Sequence, residues 1–409
     1  MRQHARTALV PTFRPRLRPI DAVGISDRRI GRAVLLRDTD GVSSSAIAVP
    51  PPLMVVIGAF DGKRTLAEIA ADHGVPVRAL MRVAEELERA LLLDSPRYRS
   101  ARKKAEEGFG SAAVRPAEHA GAAYPADPGE LRRFIDAACA GGAPPGAAVV
   151  GIVAPHIDPW RGKQSYGAAY ASLRAAPPRG EITVILLGTS HAPMKEPFAL
   201  CRKSFDTPLG VLPADEAAID AIASASPFDP YADAFNHKRE HSLEFQAVFL
   251  RHIFAKRRPL IVPILCGLSD CQRTGRSPEN DPKVERFIRG VRTVCKNGRG
   301  RTMVVAGADL SHVGPRFGDP EPFDDERRRA LEAADRESLE LATECEHARF
   351  FEHVQRDLDC RRVCGLGPIY TMLRLLPEKS RGTVARYEQT IDESDGSIVS
   401  HAAVTFVEG

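Results

Sequence analysis

The segment VILLGTSHAP, residues 184–193, determines the fold that the sequence predicts. Its apolar start fits a β-strand that is buried on both faces, and Gly-Thr-Ser then ends the strand. His191 follows directly, at the carboxyl end of this strand. Because ligands of open α/β sheets bind at that edge, we expect His191 to face a binding site.

Two further segments repeat this design. Residues 149–158 (VVGIVAPHID) end an apolar run and bring His156 to a strand end, and residues 303–314 (MVVAGADLSHVG) bring Asp309 and His312. One histidine in such a position is usually only hydrogen-bonded in place. Three at one edge of a parallel sheet favour a metal site or an acid–base site.

The composition indicates an ordinary globular protein of two or three domains. Of 409 residues, 43% are apolar and 27% are charged, and 57 Lys and Arg against 53 Asp and Glu leave a net charge of +4. No apolar run approaches the ~20 residues of a membrane span, and the N-terminus lacks the core of a signal peptide. The sequence therefore predicts a cytoplasmic protein without membrane contact. Its eight cysteines form no CxxC pair and are predicted to be mostly free thiols.

Changes in residue pattern divide the chain into four parts. Residues 1–19, rich in arginine and interrupted by proline, predict a mobile basic arm. Residues 20–95 combine a hairpin signal with two helices, and residues 96–117 are polar enough to predict a linker. Strands and helices alternate over residues 118–409. This pattern predicts an α/β domain with a mostly parallel central sheet and helices on both faces.

The small N-terminal domain contains the segment DGKRTLAEIA, residues 61–70, in which Thr65 and Glu68 form a capping box. With its flanking hairpin and helices, this part of the chain resembles the PqqD-like winged-helix domains, which implies peptide recognition. DNA binding is an alternative. The second helix mixes both charge signs, in Arg78, Arg82, Arg89, Glu85, Glu86 and Glu88. Such a surface suits phosphates poorly, so we do not expect nucleic acid as a partner, and a purely structural role stays open.

Cys364 is the thiol that could join the histidines. It lies in VCGLGPIYTML, residues 363–373, where a tight turn leads into a predicted helix. The dipole at a helix N-terminus favours a thiolate, and borderline metals accept imidazole and thiolate together. A buried packing thiol is the alternative.

Four acidic or imidazole side chains are further candidates. NHKREHSLE, residues 236–244, places His241 and Glu244 at a predicted helix start. We expect both side chains to support the metal ligands or to contact substrate. Asp309 is expected to orient His312, with helix or turn capping as the alternative. Asp158, two residues after His156, is an outer ligand or a loop cap.

Seven motifs in order carry a family resemblance: AGAAYPADPGEL, APHIDPWRGKQSYGAAYASL, LGTSHAP, EHSLEFQAVFL, VPILCG, ADLSHVG and CGLGPIYTML. From about His119 onwards the chain resembles the Memo family, protein B of the AmmeMemoRadiSam system. That family is similar in fold to the class III extradiol dioxygenases, which are non-haem iron enzymes. The resemblance implies a divalent metal, iron in the first place, with copper or zinc as alternatives.

The resemblance also implies roles for individual residues. His156, His191 and Cys364 would be the metal ligands, and His312 would match the acid–base histidine of the dioxygenases, with Asp309 in the same pocket. Cys364 stands where the dioxygenases have a carboxylate. A thiolate changes the redox properties of iron and favours copper or zinc.

Two classes of function follow. The first is a dioxygenase-like, metal-dependent oxidoreductase acting on a small or peptide-derived substrate. The second is a peptide-binding adaptor that uses the same pocket for recognition and performs no turnover. In either case the N-terminal domain suggests a partner enzyme from a radical-SAM or peptide-modification system.

Overall fold

A computed structural model describes residues 9–27, 31–141, 147–178, 180–255, 257, 259–298, 300–356 and 358–409. The chain divides into two compact units, Met1–Ser111 and Ala112–Gly409. None of the helices in the described part combines the length and apolar character needed to cross a membrane.

Among its described residues, the first unit contains a small antiparallel sheet in the order β1–β2–β3 and four helices. Its elements are β1 (Ile20–Asp27), β2 (Gly31–Asp38), β3 (Ala46–Val49), α1 (Pro51–Gly58), α2 (Leu66–Asp72), α3 (Val77–Arg89) and α4 (Pro96–Ser111). The capping box at the start of α2 is present: the side chains of Thr65 and Glu68 each accept a hydrogen bond from the other's backbone N–H.

Part of the predicted basic arm is packed. Residues 1–8 lie outside the described residues, but Arg18 is 5% exposed and pairs with Asp38 and Asp40. Its guanidinium also stacks on the ring of Tyr98, 3.6 Å from the centroid. Arginine at this position therefore neutralises carboxylates inside the unit and does not mark a mobile segment.

Residues 96–117, predicted as a linker, contain the helix α4. Their polar composition suits an exposed helix face, because charges four residues apart pair along it, as in Arg102 and Glu106. The other face buries Tyr98 and Phe109. The first compact unit accordingly extends to the end of this helix.

The second unit alternates strands and helices as predicted. Its elements are β4 (Val114–Arg115), α5 (Pro128–Ala138), β5 (Val149–Ala154), α6 (Lys163–Ala175), β6 (Ile182–Thr189), β7 (Phe198–Leu200), β8 (Ser204–Phe205), α7 (Glu216–Ala225), α8 (His241–Ile253), β9 (Leu260–Cys266), α9 (Ser269–Thr274), α10 (Pro282–Asn297), β10 (Arg301–Gly307), β11 (Asp309–Val313), α11 (Asp325–Thr343), α12 (His347–Gln355), α13 (Leu366–Leu375), β12 (Ser380–Ile391) and β13 (Ile398–Glu408).

An eight-stranded sheet in the order β11–β13–β5–β10–β6–β9–β7 forms the centre of this unit, and β12 pairs with β13. The four middle strands, β5, β10, β6 and β9, are parallel, and antiparallel strands flank them. In β6, Ile185 and Leu187 enter one hydrophobic core while Val184 and Leu186 enter the other. The prediction of a mostly parallel central sheet covered by helices on both faces is confirmed.

The third histidine-bearing segment is divided between two strands. β10 ends at Gly307, and β11 begins at Asp309 and pairs antiparallel with β13. Asp309 thus lies at the carboxyl edge of the parallel sheet, whereas His312 lies further along β11, opposite Val399. The continuous apolar pattern of the sequence does not reveal this break.

Candidate metal centre

Three imidazoles from three different elements meet at the carboxyl edge of the sheet. His156 and His191 each follow a parallel strand, and His241 is the first residue of α8. One ligand nitrogen from each ring lies within 4.8 Å of the others. His156 is buried, His241 is half-buried and His191 is exposed. The histidine triad can hold a divalent metal ion and leaves one side open to solvent.

Two glycines allow α8 to approach the sheet closely. A β-carbon at Gly188 would lie 2.4 Å from the Oγ of Ser242, and one at Gly307 would lie 2.2 Å from the Ser242 carbonyl oxygen. Ser242 Oγ also donates a hydrogen bond of 2.9 Å to the carbonyl of Thr189. These contacts hold the N-terminal end of α8, and with it His241, beside the strand ends.

The tautomer of His156 leaves Nε2, with its lone pair, as the acceptor atom of the ring, and Cys364 Sγ lies 3.2 Å from this atom. The Nδ1 of His156 lies 3.0 Å from the carbonyl oxygen of Gly307. Because a carbonyl only accepts, Nδ1 carries the proton and Nε2 presents its lone pair. Burial lowers the pKa of His156, which favours the neutral form that a metal requires.

Glu240 orients His191. The Nδ1 atom of His191 lies 3.0 and 3.1 Å from the two carboxylate oxygens, and the His191 backbone N–H donates to the same carboxylate at 2.9 Å. Burial disfavours the charged imidazole, but the Glu240 carboxylate outweighs it and raises the pKa of His191. A carboxylate behind the ring directs Nε2 towards the ligand position.

The sequence indicated that His241 supports the metal ligands or contacts substrate, and the structure places its ring within the histidine triad. Its ring stacks on His191 with centroids 4.5 Å apart and meets His156 at 5.3 Å. Burial and the neighbouring His191 hold the pKa of His241 well below its usual value. The dipeptide Glu240-His241 at a helix start is the sequence feature that could have indicated this position. Glu240 is the N-cap and orients His191, and His241 belongs to the triad itself.

Cys364 lies two residues before α13, and its Sγ is 3.2 Å from Nε2 of His156. This distance is that of a hydrogen bond between the thiol and the imidazole, and it also matches the ~3.1–3.6 Å between a nitrogen and a thiolate ligand of one zinc-like ion. The described ligand atoms that lie within 4.8 Å of one another are the three imidazole nitrogens and do not include Cys364 Sγ. Burial and the charge of Asp309 raise the pKa of Cys364 well above its usual value. Without a cation the thiol is therefore neutral, contrary to the effect expected from the helix dipole.

Asp309 supports His156 more directly than His312. Its carboxylate accepts a 2.8 Å hydrogen bond from the His156 backbone N–H and lies 3.7 Å from His156 Nε2. The Nδ1 of His312 faces the carbonyl of Leu310 at 3.2 Å, and no hydrogen bond among the described residues joins His312 to Asp309. Burial lowers the pKa of His312 to about 4, so this ring is neutral near pH 7.

The two remaining acidic candidates lie apart from the histidine triad. Glu244 is fully buried and bonds to Arg115, to the hydroxyl of Tyr124 at 2.6 Å and to the backbone N–H of His119 at 2.9 Å. Asp158 accepts from the backbone N–H of Arg161 at 3.1 Å and pairs with its guanidinium, as a loop cap would.

Comparison with known proteins agrees with the motifs. The family model for Memo-like proteins matches residues 115–405. A MEMO1 family protein of Aquifex aeolicus is 26% identical over 402 residues, which is 96% of this chain and 100% of the relative. A MEMO1 family protein of Thermus thermophilus is 34% identical over 262 residues, 63% of this chain and 74% of the relative.

Among solved structures, an uncharacterised protein from Escherichia coli K12 covers 64% of this chain with 13% identity and a TM-score of 0.35, a likeness too low to indicate a common fold. The family match spans nearly all of the second unit, including the three histidines and Cys364. The chain belongs to the Memo-like protein family.

Proposed function

We propose that this Memo-family chain is a metal-dependent oxidoreductase that binds iron through His156, His191 and His241, with Cys364 as a further donor. The observation that supports the proposal best is the convergence of three imidazole nitrogens within 4.8 Å. Hydrogen bonds to the Nδ1 atoms of His156 and His191 leave the Nε2 atoms of both rings as possible ligand atoms, and Cys364 Sγ lies beside the Nε2 of His156. Three imidazoles held close together in this way can bind one ligand in common.

The donor atoms narrow the choice of metal. Magnesium and calcium prefer oxygen ligands, whereas imidazole and thiol suit iron, copper and zinc. We propose iron because the family resembles non-haem iron enzymes. Bound iron would supply redox chemistry with O2 and polarise a coordinated substrate atom.

The side chains around the triad have separate tasks in this proposal. His191, with 42% of its side chain exposed, lies on the side from which a small or peptide-derived substrate would enter. Neutral His312 accepts a proton from the substrate, and Asp309 keeps the His156 backbone in place. Glu240 holds His191 in its ligand orientation.

The first unit would bring the substrate to this site. Its resemblance to PqqD-like domains supports binding of a peptide, or recruitment of a partner enzyme from a peptide-modification system. The alternative function, recognition of a peptide without turnover, would use the same histidine pocket and differ only in lacking redox chemistry.

Elemental analysis of the full chain, purified without chelator, tests the proposal beside the double variant His156→Ala/His191→Ala. We expect near-stoichiometric iron in the parent, absent from the variant, and O2 uptake after anaerobic loading with Fe²⁺ once peptide or small substrates are supplied. Zinc at the same position would contradict the redox function. No metal in the parent, even after reducing reconstitution, would overturn the metal site and support recognition alone.

A further inference from the structure

We propose that Arg115 is a positioning residue that fixes the N-terminal end of α8 and so sets the geometry of the histidine triad. The effect of Arg115 on metal binding rests on the proposed function, because it requires that the triad binds a metal ion. Arg115 lies on β4, is 0% exposed, and bonds to none of the three triad side chains in the described part of the chain. Any effect on the site must therefore pass through other residues.

The guanidinium of Arg115 donates hydrogen bonds to three acceptors in the segment that carries His241. Its Nε donates to the carbonyl of His237 at 2.8 Å, its Nη2 to the carbonyl of Glu240 at 2.9 Å, and its Nη1 to the carboxylate of Glu244. The acceptors belong to the turn before α8, to its N-cap and to its first turn. One planar side chain thus fixes both the start and the direction of the helix.

The N-cap residue transmits this position to two of the three imidazoles. The carboxylate of Glu240 accepts hydrogen bonds from the backbone N–H and Nδ1 of His191, and it caps Ser242 N–H at 2.9 Å. His241 is the next residue, with Nδ1 3.4 Å from the same carboxylate. A displacement of the Glu240 backbone would therefore move the support of His191 and the ring of His241 together.

Burial explains why this position requires arginine. The side chains of Arg115 and Glu244 are both 0% exposed, so each charge depends on the other. Arg115 also stacks over the ring of Phe205, 4.9 Å from the centroid. Lysine would keep the charge, but its single ammonium lacks the planar fork that reaches three separated acceptors.

The first test is the affinity of metal-stripped full-length protein for Co²⁺, measured through the visible spectrum of the bound ion. Arg115→Lys should bind Co²⁺ about 10–100-fold more weakly, with altered band intensities, because supports behind metal ligands have effects of this size. The control is Arg374→Lys, which makes the same substitution in another ion pair of the second unit. Arg374 donates to Glu285 at 2.6 Å and to the Tyr370 hydroxyl at 3.1 Å. The Arg374→Lys variant should keep the Co²⁺ affinity and the spectrum of the parent.

A second readout needs no metal. The proton on Nδ1 of His191, held by Glu240, should give a downfield ¹H NMR signal, assigned by its loss in His191→Gln. Arg115→Lys should shift or broaden this signal, whereas Arg374→Lys should leave it in place. If the parent binds no Co²⁺, the proposed function fails, and the NMR signal alone decides the role of Arg115.

A double variant covers the case in which Arg115→Lys does not fold. Arg115→Gln/Glu244→Gln removes both buried charges at once while leaving two groups that can hydrogen-bond to each other. It should show the same loss of Co²⁺ affinity and the same NMR change. Parent-like affinity, spectrum and signal in either folded Arg115 variant would overturn the proposal. So would failure of both to fold beside a folded Arg374→Lys, because Arg115 would then serve folding in general.

Discussion

Glu240 shows at the scale of one residue how the site is organised. Its carboxylate is almost fully buried, and the positive character of His191 outweighs the effect of burial, so the pKa of Glu240 is well below its usual value. The same group caps α8 and orients His191. A permanently charged acceptor at this point fixes the imidazole whose other nitrogen faces the ligand position.

Replacing Glu240 with glutamine should weaken metal binding by about 10–100-fold, because the amide cannot match a carboxylate that accepts from both His191 and Ser242. Calorimetric titration of metal-stripped protein with Zn²⁺ measures the change. Glu285→Gln, which disturbs the ion pair with Arg374, is the control and should leave the affinity unchanged. Equal affinities for the two variants would show that Glu240 has no part in the metal site.

The two neighbouring cysteines make a second residue-scale comparison. Cys364 lies 3.2 Å from Nε2 of His156, whereas Cys360 is exposed. Cys364→Ser should therefore retain less metal than Cys360→Ser when both are purified side by side and analysed for bound metal. Equal metal content in the two proteins would remove Cys364 from the site.

At the scale of elements, the site depends on how closely α8 packs against β6 and β10. A methyl group at Gly188 would meet Ser242 Oγ at 2.4 Å, so α8 or the strand must shift. We expect Gly188→Ala to reduce stability by ~1–3 kcal/mol and to weaken metal binding. Gly108→Ala on α4, where nothing lies within 4 Å, is the control for thermal unfolding and metal titration. Unchanged metal affinity in Gly188→Ala would show that the close approach is not needed.

The same packing explains what the sequence could predict about the site. His156 and His191 follow uninterrupted apolar strands, so their place at one sheet edge was predictable. His241 comes from a helix, and its distance from the edge depends on glycines whose role appears only when the layers pack. The sequence predicted that Glu244 supports the metal ligands or contacts substrate, but its carboxylate pairs with Arg115. Local patterns could not indicate this partner, because Arg115 is 129 residues away in sequence.

Secondary structure was predictable where one periodicity prevailed. The apolar runs predicted β5, β6 and β10, but the pattern continues through Gly307 without showing that β11 is a separate strand. The charged segment that contains α4 was predicted as a linker. It buries two aromatic residues, Tyr98 and Phe109, and the charged residues around them hide the apolar spacing of a helix. Local composition alone could not distinguish a polar helix from a loop.

At the scale of the whole molecule, histidine burial makes stability depend on pH. Burial lowers the pKa of five histidines of the second unit, namely His156, His237, His241, His312 and His401. The unfolded chain therefore binds more protons below about pH 6.5 than the folded chain does. His191, whose pKa is raised, acts in the opposite direction. The stabilising effect of the five neutral rings is complete above that pH and is lost as the pH falls.

Metal-free protein should accordingly lose several kcal/mol of unfolding free energy between pH 7 and pH 4.5. His237, with its pKa lowered to about 4, should account for about 2 kcal/mol of this loss, so His237→Gln should show a smaller pH dependence. Urea unfolding followed by fluorescence reports on the second unit, because Trp160 is the single tryptophan of the chain. A parent stability independent of pH over this range would contradict the assigned burial.

In the proposed site, the three imidazoles of His156, His191 and His241 bind one metal ion. The most direct measurement is the metal content of His156→Ala, His191→Ala and His241→Ala beside His237→Gln. His237 lies four residues before His241, but its Nε2 faces the carbonyl of Ala199 at 3.0 Å. We predict that each alanine variant loses the metal and that His237→Gln keeps it. Full metal content in His241→Ala would show that the three imidazoles do not share one ion.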